Sequence, residues 1–295
     1  MQKNLSIIVP VYNEINAIEQ SLTNLLSIKK NFPNVDIEIL IIDDFSSDGT
    51  REILEKKSKE LTDFKFIFNL ENKGYGGAIK EGFKNSSHEF IGITDADETY
   101  PTEKLVEFLD IALDDNIDMV VGSRVGQNVN IPYLRRFPKL ILNLLASYLV
   151  GKKIPDLNSG LRVMRKSLLK RYTYILPDGF SLTSTITLAA MTNGYRVLYK
   201  KIDYAHRKGS SKIRPISDTL NFLILIIRTV LLFRPLKVFV PLFFLLFIPG
   251  FVLFLLRVFI GEGYAISSMI LLLASLQVLT VGMLADLVDR KFTNK

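Results

Sequence analysis

The stretch Leu5-Ser6-Ile7-Ile8-Val9-Pro10-Val11-Tyr12-Asn13-Glu14 opens on an apolar run and turns polar at Tyr12. An unbroken Ile/Val run of this kind reads as a strand, Leu5 to Val9, buried on both faces. Outward from it, Glu14 to about Lys30 places Ile18, Leu22, Leu25 and Leu26 at helical spacing. The alternation continues with strands at Ile37 to Ile42, Phe64 to Phe68, Glu89 to Thr94 and Asp118 to Gly122. Helices fall between them at Asp48 to Leu61, Tyr75 to Asn85 and Thr102 to Asp114. Strands alternating with helices predict an α/β fold with a mostly parallel sheet covered on both faces. Ligands of such sheets bind at the carboxyl ends of the strands. The polar clusters follow strands: Tyr12-Asn13-Glu14, Asp43-Asp44, Asn72 to Gly77, and Asp95-Ala96-Asp97.

The apolar content is unevenly spread. Of 295 residues, 48% are hydrophobic, yet the chain reads as soluble up to about Lys212 and turns strongly apolar from Leu220. Val238 to Ile260 and Ala265 to Leu284 are each long enough to cross a hydrocarbon core of ~30 Å at ~1.5 Å per residue. Phe259 to Tyr264 joins them as a hairpin; a pair of buried core helices is the alternative. Arg228, Arg234 and Lys237 precede the pair, and Arg290, Lys291 and Lys295 follow it. That bias places both termini and the large domain on the cytoplasmic side. The expected divisions are a catalytic domain at 1–212, a juxtamembrane amphipathic helix at 213–236, two crossings within 237–289 (about 238–260 and 265–287) and a tail at 290–295. Ser217 to Phe233 reads as interfacial; Arg135 to Val150 reads equally as interfacial or as a core helix.

The net charge of +7 is modest, and no nucleic-acid motif accompanies it. Beside apolar helices it suits an anionic membrane surface and phosphate-bearing substrates. The chain has no cysteine, which excludes disulfides and thiolate metal sites. Met1-Gln2-Lys3-Asn4 runs straight into the first strand, so no signal peptide is expected.

Asp95-Ala96-Asp97 leaves the sheet after Phe90-Ile91-Gly92-Ile93. Two carboxylates one residue apart face the same way in extended chain. Hard oxygen ligands with open positions suit Mg²⁺ or Mn²⁺ bridging a diphosphate. Alone, an Asp-x-Asp is more often a solvated turn. Asp48 reads as a cap of the second helix, whereas Asp43 and Asp44 have no such easy structural task.

Taken in order, SIIVPVYNE, IIDDFSSDGT, NKGYGGAIKEGF, ITDADETYP, GSR and LNSGLRVMRK resemble family 2 glycosyltransferases, most closely the dolichyl/polyprenyl-phosphate sugar synthases. The likeness covers about Leu5 to Lys212, and the hairpin is similar to that of members with two crossings. The resemblance implies a GT-A fold (Rossmann-like, mostly parallel), a nucleotide-sugar donor and a metal-assisted transfer. By resemblance, Pro10, Tyr12, Glu14 and Asp43 cradle the nucleoside, with Asp44 a weaker candidate. Lys73 sits in a Gly-rich loop that is not a P-loop, since no G-K-[ST] ending is present. Asp95 and Asp97 match the metal-binding carboxylates. Arg124 is implied to contact the donor or leaving phosphate, or else to form a structural ion pair. Ser159 matches the acceptor segment, with Arg162 and Arg165 available for phosphate. His206 to Lys212 resembles a basic segment whose Arg207 and Lys212 grip the donor diphosphate or the lipid phosphate, or hold the chain to anionic lipid.

The sequence also departs from that pattern. Thr99 stands where mannose synthases often carry Gln, and Glu98 adds a carboxylate beside the pair. No Glu-Asp base is evident; Asp178 is the nearby candidate. A sugar hydroxyl must lose a proton as it attacks and needs a base. A lipid phosphate, with a second pKa near ~6, is already largely anionic at neutral pH. The expectation is therefore inverting transfer from a UDP- or GDP-sugar to a polyprenyl or dolichyl phosphate at the bilayer, with no nucleic-acid partner and homo-oligomerisation left open. Three rivals are a family member acting on a glycan or lipid hydroxyl, a non-catalytic scaffold of the same fold, and a hairpin transporter subunit, with Arg257 and Asp286 near helix ends.

Overall fold

The structure, a computed structural model, describes residues 3–114, 116–124, 144–148, 150–204, 224, 227, 231, 234–261 and 263–293. Arg207, Lys212, all of 125–143 and most of 205–233 lie outside the described residues, and with them most of the expected interfacial segment Ser217 to Phe233. Of Arg135 to Val150, residues 144–148 and 150 are described, with Ala146 and Val150 buried in a core cluster.

Among the described residues, seven strands form one sheet in the order β3-β2-β1-β4-β6-β5-β7. In chain order they are β1 (Asn4–Val11), β2 (Asp36–Asp43), β3 (Phe64–Phe68), β4 (Phe90–Ile93), β5 (Met119–Ser123), β6 (Arg162–Arg165) and β7 (Val197–Lys201). Helices α1 (Ile18–Asn31), α2 (Thr50–Glu60), α3 (Gly74–Asn85) and α4 (Lys104–Asp114) connect the first five strands, much as the hydrophobic spacing predicts. Then come α5 (Lys166–Tyr172) and α6 (Leu182–Thr192).

Successive residues of each strand face opposite sides of the sheet. Leu5, Ile7, Val9 and Val11 therefore enter one core with α1 and α4, while Ile8 enters the other with Leu40, Ile42 and the buried residues of α3 and α6. Every pairing is parallel except those of β6, which runs antiparallel to both β4 and β5. The sequence reading missed this strand. Arg162-Val163-Met164-Arg165 is too short to show periodicity, and arginines bound it. Its two apolar residues nonetheless split between the faces, Val163 to one core and Met164 to the other.

Register shapes the carboxyl edge. β1 pairs with β2 as far as Val11↔Asp43, but with β4 only as far as Ile8↔Ile93. β1 thus overhangs β4 by three residues, which leaves a crevice beside Pro10 and Val11.

The two apolar helices are α7 (Leu236–Ile260) and α8 (Ala265–Thr293). Only 6% and 17% of their most apolar windows are buried, so they are not core helices of the described domain. Both are long and apolar enough to cross a membrane. They pack through glycines: a Cβ on Gly250 would meet Leu271 at 2.9 Å, and one on Gly282 would meet Phe239 at 2.5 Å.

Candidate functional site

The crevice opens into a cleft of about 640 Å³ lined by Pro10, Val11, Tyr12 and Glu14 from the β1 exit and Asp44 from the β2 exit. Asp95, Ala96 and Asp97 line it from the β4 exit, and Gly74, Tyr75 and Ala78 from α3. Arg124, Asn158, Gly160, Phe180, Thr183 and Tyr204 close the far wall. Elements remote in sequence thus meet at one edge of the sheet.

The loops after β1 and β2 are laced together. Asn13 N donates to Ser46 Oγ at 3.0 Å, and Ser47 N returns a bond to Asn13 Oδ1 at 2.8 Å. Glu14 N donates to Thr50 Oγ1, and Ile15 N to Asp48 Oδ2. Asp48 also accepts from Thr50 N at 3.0 Å, just ahead of α2. Burial opposes ionisation of Asp48, but these bonds together outweigh it and hold the carboxyl below its ordinary range. Asn13, Phe45 and Glu98 all adopt positive φ, of 54°, 65° and 60°. Left-handed backbone at three non-glycine residues, all in strand-exit loops, is a feature of functional sites.

Asp43 and Asp44 do have structural tasks, contrary to the sequence reading. Asp43 is fully buried and does not line the cleft. Its Oδ2 lies 3.1 Å from Arg51 Nε, a charge pair not aligned as a hydrogen bond, and it receives Ser46 N at long range. Asp44 is the one that reaches the cleft. Asn69 Nδ2 at 2.8 Å and Lys73 N at 2.9 Å donate to its Oδ1. Lys73 contributes that backbone amide, while its side chain is exposed and pairs with Glu81 at 3.3 Å.

Asp95 and Asp97 both face the cleft. Tyr75 donates its hydroxyl to Asp95 Oδ1 at 2.9 Å. Burial first, then the neighbouring Asp95 charge, keeps the Tyr75 hydroxyl protonated by pushing its pKa well up. Asp97 accepts from Thr99 Oγ1 at 2.6 Å and Thr99 N at 3.2 Å. Thr99 therefore orients Asp97. Gly160 presses against Asp95 so closely that a Cβ would stand 2.9 Å from both carboxylate oxygens. The Gly160 amide donates to Tyr100 Oη at 2.8 Å. Among the described residues no three or more His, Asp or Glu side chains converge to hold a metal. Two adjacent carboxylates without a third fit a cation shared with a ligand's own oxygens, not one caged by protein alone.

Arg124 forms the structural ion pair foreseen as one of its two readings, and it does so at the edge of the cleft. It lines the cleft, yet its guanidinium forks onto buried Asp156, Nε to Oδ2 at 2.8 Å and NH2 to Oδ1 at 2.9 Å. A further bond reaches Asn158 Oδ1, and the Tyr204 ring lies 5.4 Å below. Burial disfavours the charge, but Tyr100 and Asp156 outweigh it and hold the guanidinium firmly protonated.

The expected acceptor residues lie inside the fold. Arg162 is fully buried, and it donates to the Thr183 carbonyl at 2.8 Å, to Thr187 Oγ1 at 3.0 Å and to the Ser159 carbonyl. It ties the 156–160 turn to α6 and is not available to a lipid phosphate. Ser159 is buried too, its hydroxyl without a partner among the described residues. Arg165, at the other end of β6, pairs with Glu89 at 2.9 Å. The segment's cleft-facing residues are Asn158 and Gly160 instead.

Asp178 is likewise corrected. Its carboxylate pairs with Lys80 at 2.7 Å and does not line the cleft. Its carbonyl receives Gly76 N at 2.6 Å and Gly77 N at 3.0 Å, at the start of α3. Gly74 and Gly76 are required there, because a Cβ on either would lie within 2.6 Å of the 177–178 carbonyl oxygens. This docking brings Phe180, 64% exposed, into a stack on Tyr75 at 5.4 Å. Tyr75, Tyr100, Asn158 and Phe180 went unassigned in the sequence reading. Tyr75 and Tyr100 stood inside the quoted motifs, while Phe180 and Tyr204 gave no signal.

The family described as glycosyl transferase family 2 matches residues 6–173. A dolichyl-phosphate hexose transferase of Haloferax volcanii is 28% identical over 213 residues, 72% of this chain and 87% of that protein. An undecaprenyl-phosphate 4-deoxy-4-formamido-L-arabinose transferase of Salmonella choleraesuis is 35% identical over 173 residues, 57% of this chain and half of that protein's length. Among solved structures, glucosyl-3-phosphoglycerate synthase of Mycobacterium tuberculosis, in complex with Mn²⁺, UDP and glucosyl-3-phosphoglycerate, has a TM-score of 0.56. It is 19% identical, covering 78% of this chain and 79% of that one. S. aureus TarS 1–349 with UDP reaches 0.54 at 23% identity, covering 77% and 65%. The two structures share the fold. The chain belongs to glycosyl transferase family 2.

Proposed function

Starting from that membership, we propose that the chain transfers a sugar from a nucleoside-diphosphate donor, UDP- or GDP-linked, to a polyprenyl or dolichyl phosphate at a membrane surface. The observation that carries this reading is the convergence of Tyr12, Glu14, Asp44, Asp95 and Asp97 on one cleft at the strand ends. The names of the Haloferax and Salmonella relatives support the lipid-phosphate acceptor, as do the two outward-facing apolar helices.

Tyr12, Glu14 and Asp44 bind the nucleoside end. Asp95 and Asp97 would hold a divalent cation, Mg²⁺ or Mn²⁺, which supplies charge to offset that building on the departing diphosphate. Tyr75 and Thr99 keep the two carboxylates in place. Arg124, fixed by Asp156, presents a permanent positive charge to the phosphates. The acceptor phosphate oxygen attacks the anomeric carbon from the face opposite the donor. The bond to the diphosphate oxygen breaks and its electron pair leaves with the nucleoside diphosphate, inverting the centre. No proton need be removed, in keeping with the pairing of Asp178 to Lys80. Arg207 and Lys212 are proposed to align the lipid phosphate, with the catalytic domain and both termini on the cytoplasmic side.

The test is transfer of radiolabelled sugar by the purified protein in detergent, with a panel of UDP- and GDP-sugars and a polyprenyl phosphate. Label entering a chloroform-soluble phosphate lipid, and lost with Asp97→Asn, supports the reading. Transfer only to water-soluble or hydroxyl acceptors would refute it.

A further inference from the structure

The apolar span Ala265–Val288 of α8 has Gln277 at its middle, the thirteenth of its 24 residues. Two stripes run along this helix. One holds Leu271, Leu272, Ser275 and Gly282; Leu271, Leu272 and Gly282 meet α7, and Ser275 is buried. The other, on the outer side, holds Leu273, Leu276, Gln277, Thr280 and Val281, which together line a shallow groove. Leu273, Leu276 and Val281 are each half exposed or more there. Thr280 satisfies its hydroxyl by donating to the Leu276 carbonyl at 2.8 Å. Gln277 is exposed, and among the described residues its amide has no hydrogen-bond partner.

A primary amide offers two donors and a two-lone-pair acceptor. At the centre of a bilayer neither water nor acyl chains can bond it, so it calls for a protein partner. We propose that this outer stripe is an interface with a second copy of the chain, paired about a two-fold axis so that Gln277 bonds the partner's Gln277. The proposal rests on the reading of α7 and α8 as membrane crossings. Copies inserted in one orientation carry Gln277 at one depth, and an amide is complementary to itself, so a two-fold pairing satisfies both at once. Any other membrane protein would need its own polar group at that depth. Leu273, Thr280 and Val281 lie three or four residues from Gln277, and Leu276 lies three from Leu273 and four from Thr280, the pattern by which helices pack side by side. The pairing sets two catalytic domains on the same membrane face.

The absence of cysteine from the chain allows single cysteines to be read without background. Full-length protein in liposomes carries Leu276→Cys or Thr280→Cys on the outer stripe. Leu245→Cys or Ile248→Cys on the exposed side of α7 serves as control. On oxidation, the α8 pair is expected to give disulfide dimers and the α7 pair several-fold fewer. Adding Gln277→Leu to Leu276→Cys should lower the dimerisation constant roughly five-fold, about 1 kcal/mol, while Gln277→Asn keeps much of it. Equal cross-linking on both helices, or no response to Gln277→Leu, would overturn the interface. Release of the wild-type protein from liposomes by alkaline carbonate would instead overturn the membrane reading on which it rests.

Discussion

Replacing Gly160 by alanine sets a methyl carbon 2.9 Å from both oxygens of Asp95 and 3.1 Å from its Cγ. Ordinary contact begins at 3.4 Å, so the carboxylate must retreat by about 0.5 Å. The retreat strains the bond from Tyr75 Oη, now 2.9 Å. Gly160 itself has ordinary backbone, not the left-handed conformation of Gly74, so alanine adds no strain to the turn. The Gly160 amide keeps its bond to Tyr100. The cost to stability is therefore bounded by one charge-assisted hydrogen bond, roughly 1.5–3 kcal/mol. The cost to function is larger in proportion, because groups that orient metal-binding carboxylates change affinity or activity about 10–100-fold. The assay is the initial rate of sugar transfer against Mn²⁺ or Mg²⁺ concentration, with Tm measured on the same preparation. The expected result is an apparent metal constant raised by about 10-fold or more with a folded protein and unchanged metal-free nucleotide binding. A variant whose rate and metal dependence match the wild type would refute the assignment of Asp95 to the metal and of Gly160 to its support.

Thr99→Val keeps the shape of the side chain but removes the hydroxyl that donates to Asp97 at 2.6 Å; kcat should fall about 10-fold, and urea denaturation should show a stability loss of no more than about 1.5–3 kcal/mol, the charge-assisted bond itself. Asp178→Ala should leave the pH–rate profile unshifted and the rate within about three-fold of wild type, since loss of a true base costs about 100-fold or more. Asp156→Ala strands the part-buried Arg124 guanidinium without its fully buried bidentate partner. The loss is roughly 3–5 kcal/mol, read as a lower urea midpoint. Joint replacement with Arg124→Met should recover part of the stability but no activity.

The first five strands and the helices between them were legible because each apolar run or spacing is long enough to be counted. Ile18, Leu22 and Leu25 recur at helical spacing and all three are buried. β6 was not legible, since four residues flanked by arginines look like a charged loop until two neighbouring strands claim them. The cleft carboxylates Asp95 and Asp97 were readable from the turn that ends β4. The division of labour between Asp43 and Asp44 was not. Adjacent residues leave a strand on opposite sides, and only the fold shows that Arg51 lies on the side of Asp43 while the cleft lies on that of Asp44. Arg162 misled for a related reason. An arginine beside a predicted acceptor segment reads as a phosphate ligand, yet the fold buries it and turns its donors to the Ser159 carbonyl and to Thr183 and Thr187 of α6. Phe180 and Tyr204 lay beyond reach, because a lone aromatic in a loop carries no periodicity to show which wall it will form.

The link between cleft and apolar helices is itself physical. α6 has Thr183 in the cleft wall at its N-terminal end. At its C-terminal end the Thr192 carbonyl accepts from Arg234 NH2 at 3.0 Å. Arg234 stands two residues before α7 begins, and its other nitrogen reaches the Val150 carbonyl at 3.4 Å. Lys237 adds a bond to the Tyr148 carbonyl, and Val238 packs on the cluster of Ala146, Val150, Ile154, Leu157, Leu188 and Met191. A cation donating to the last carbonyls of a helix satisfies groups that have no partner within the helix. Eleven residues at ~1.5 Å each make α6 a strut of about 16 Å. The cleft wall at Thr183 is thus tied, through one rigid helix, to the start of the first apolar helix. On the proposed reading, this tie keeps the cleft near the surface from which a lipid-borne phosphate would arrive. The same buried Arg162 that cannot bind substrate fastens this strut to the 156–160 turn. The height of the cleft and the placement of Gly160 against Asp95 are thus set by one helix.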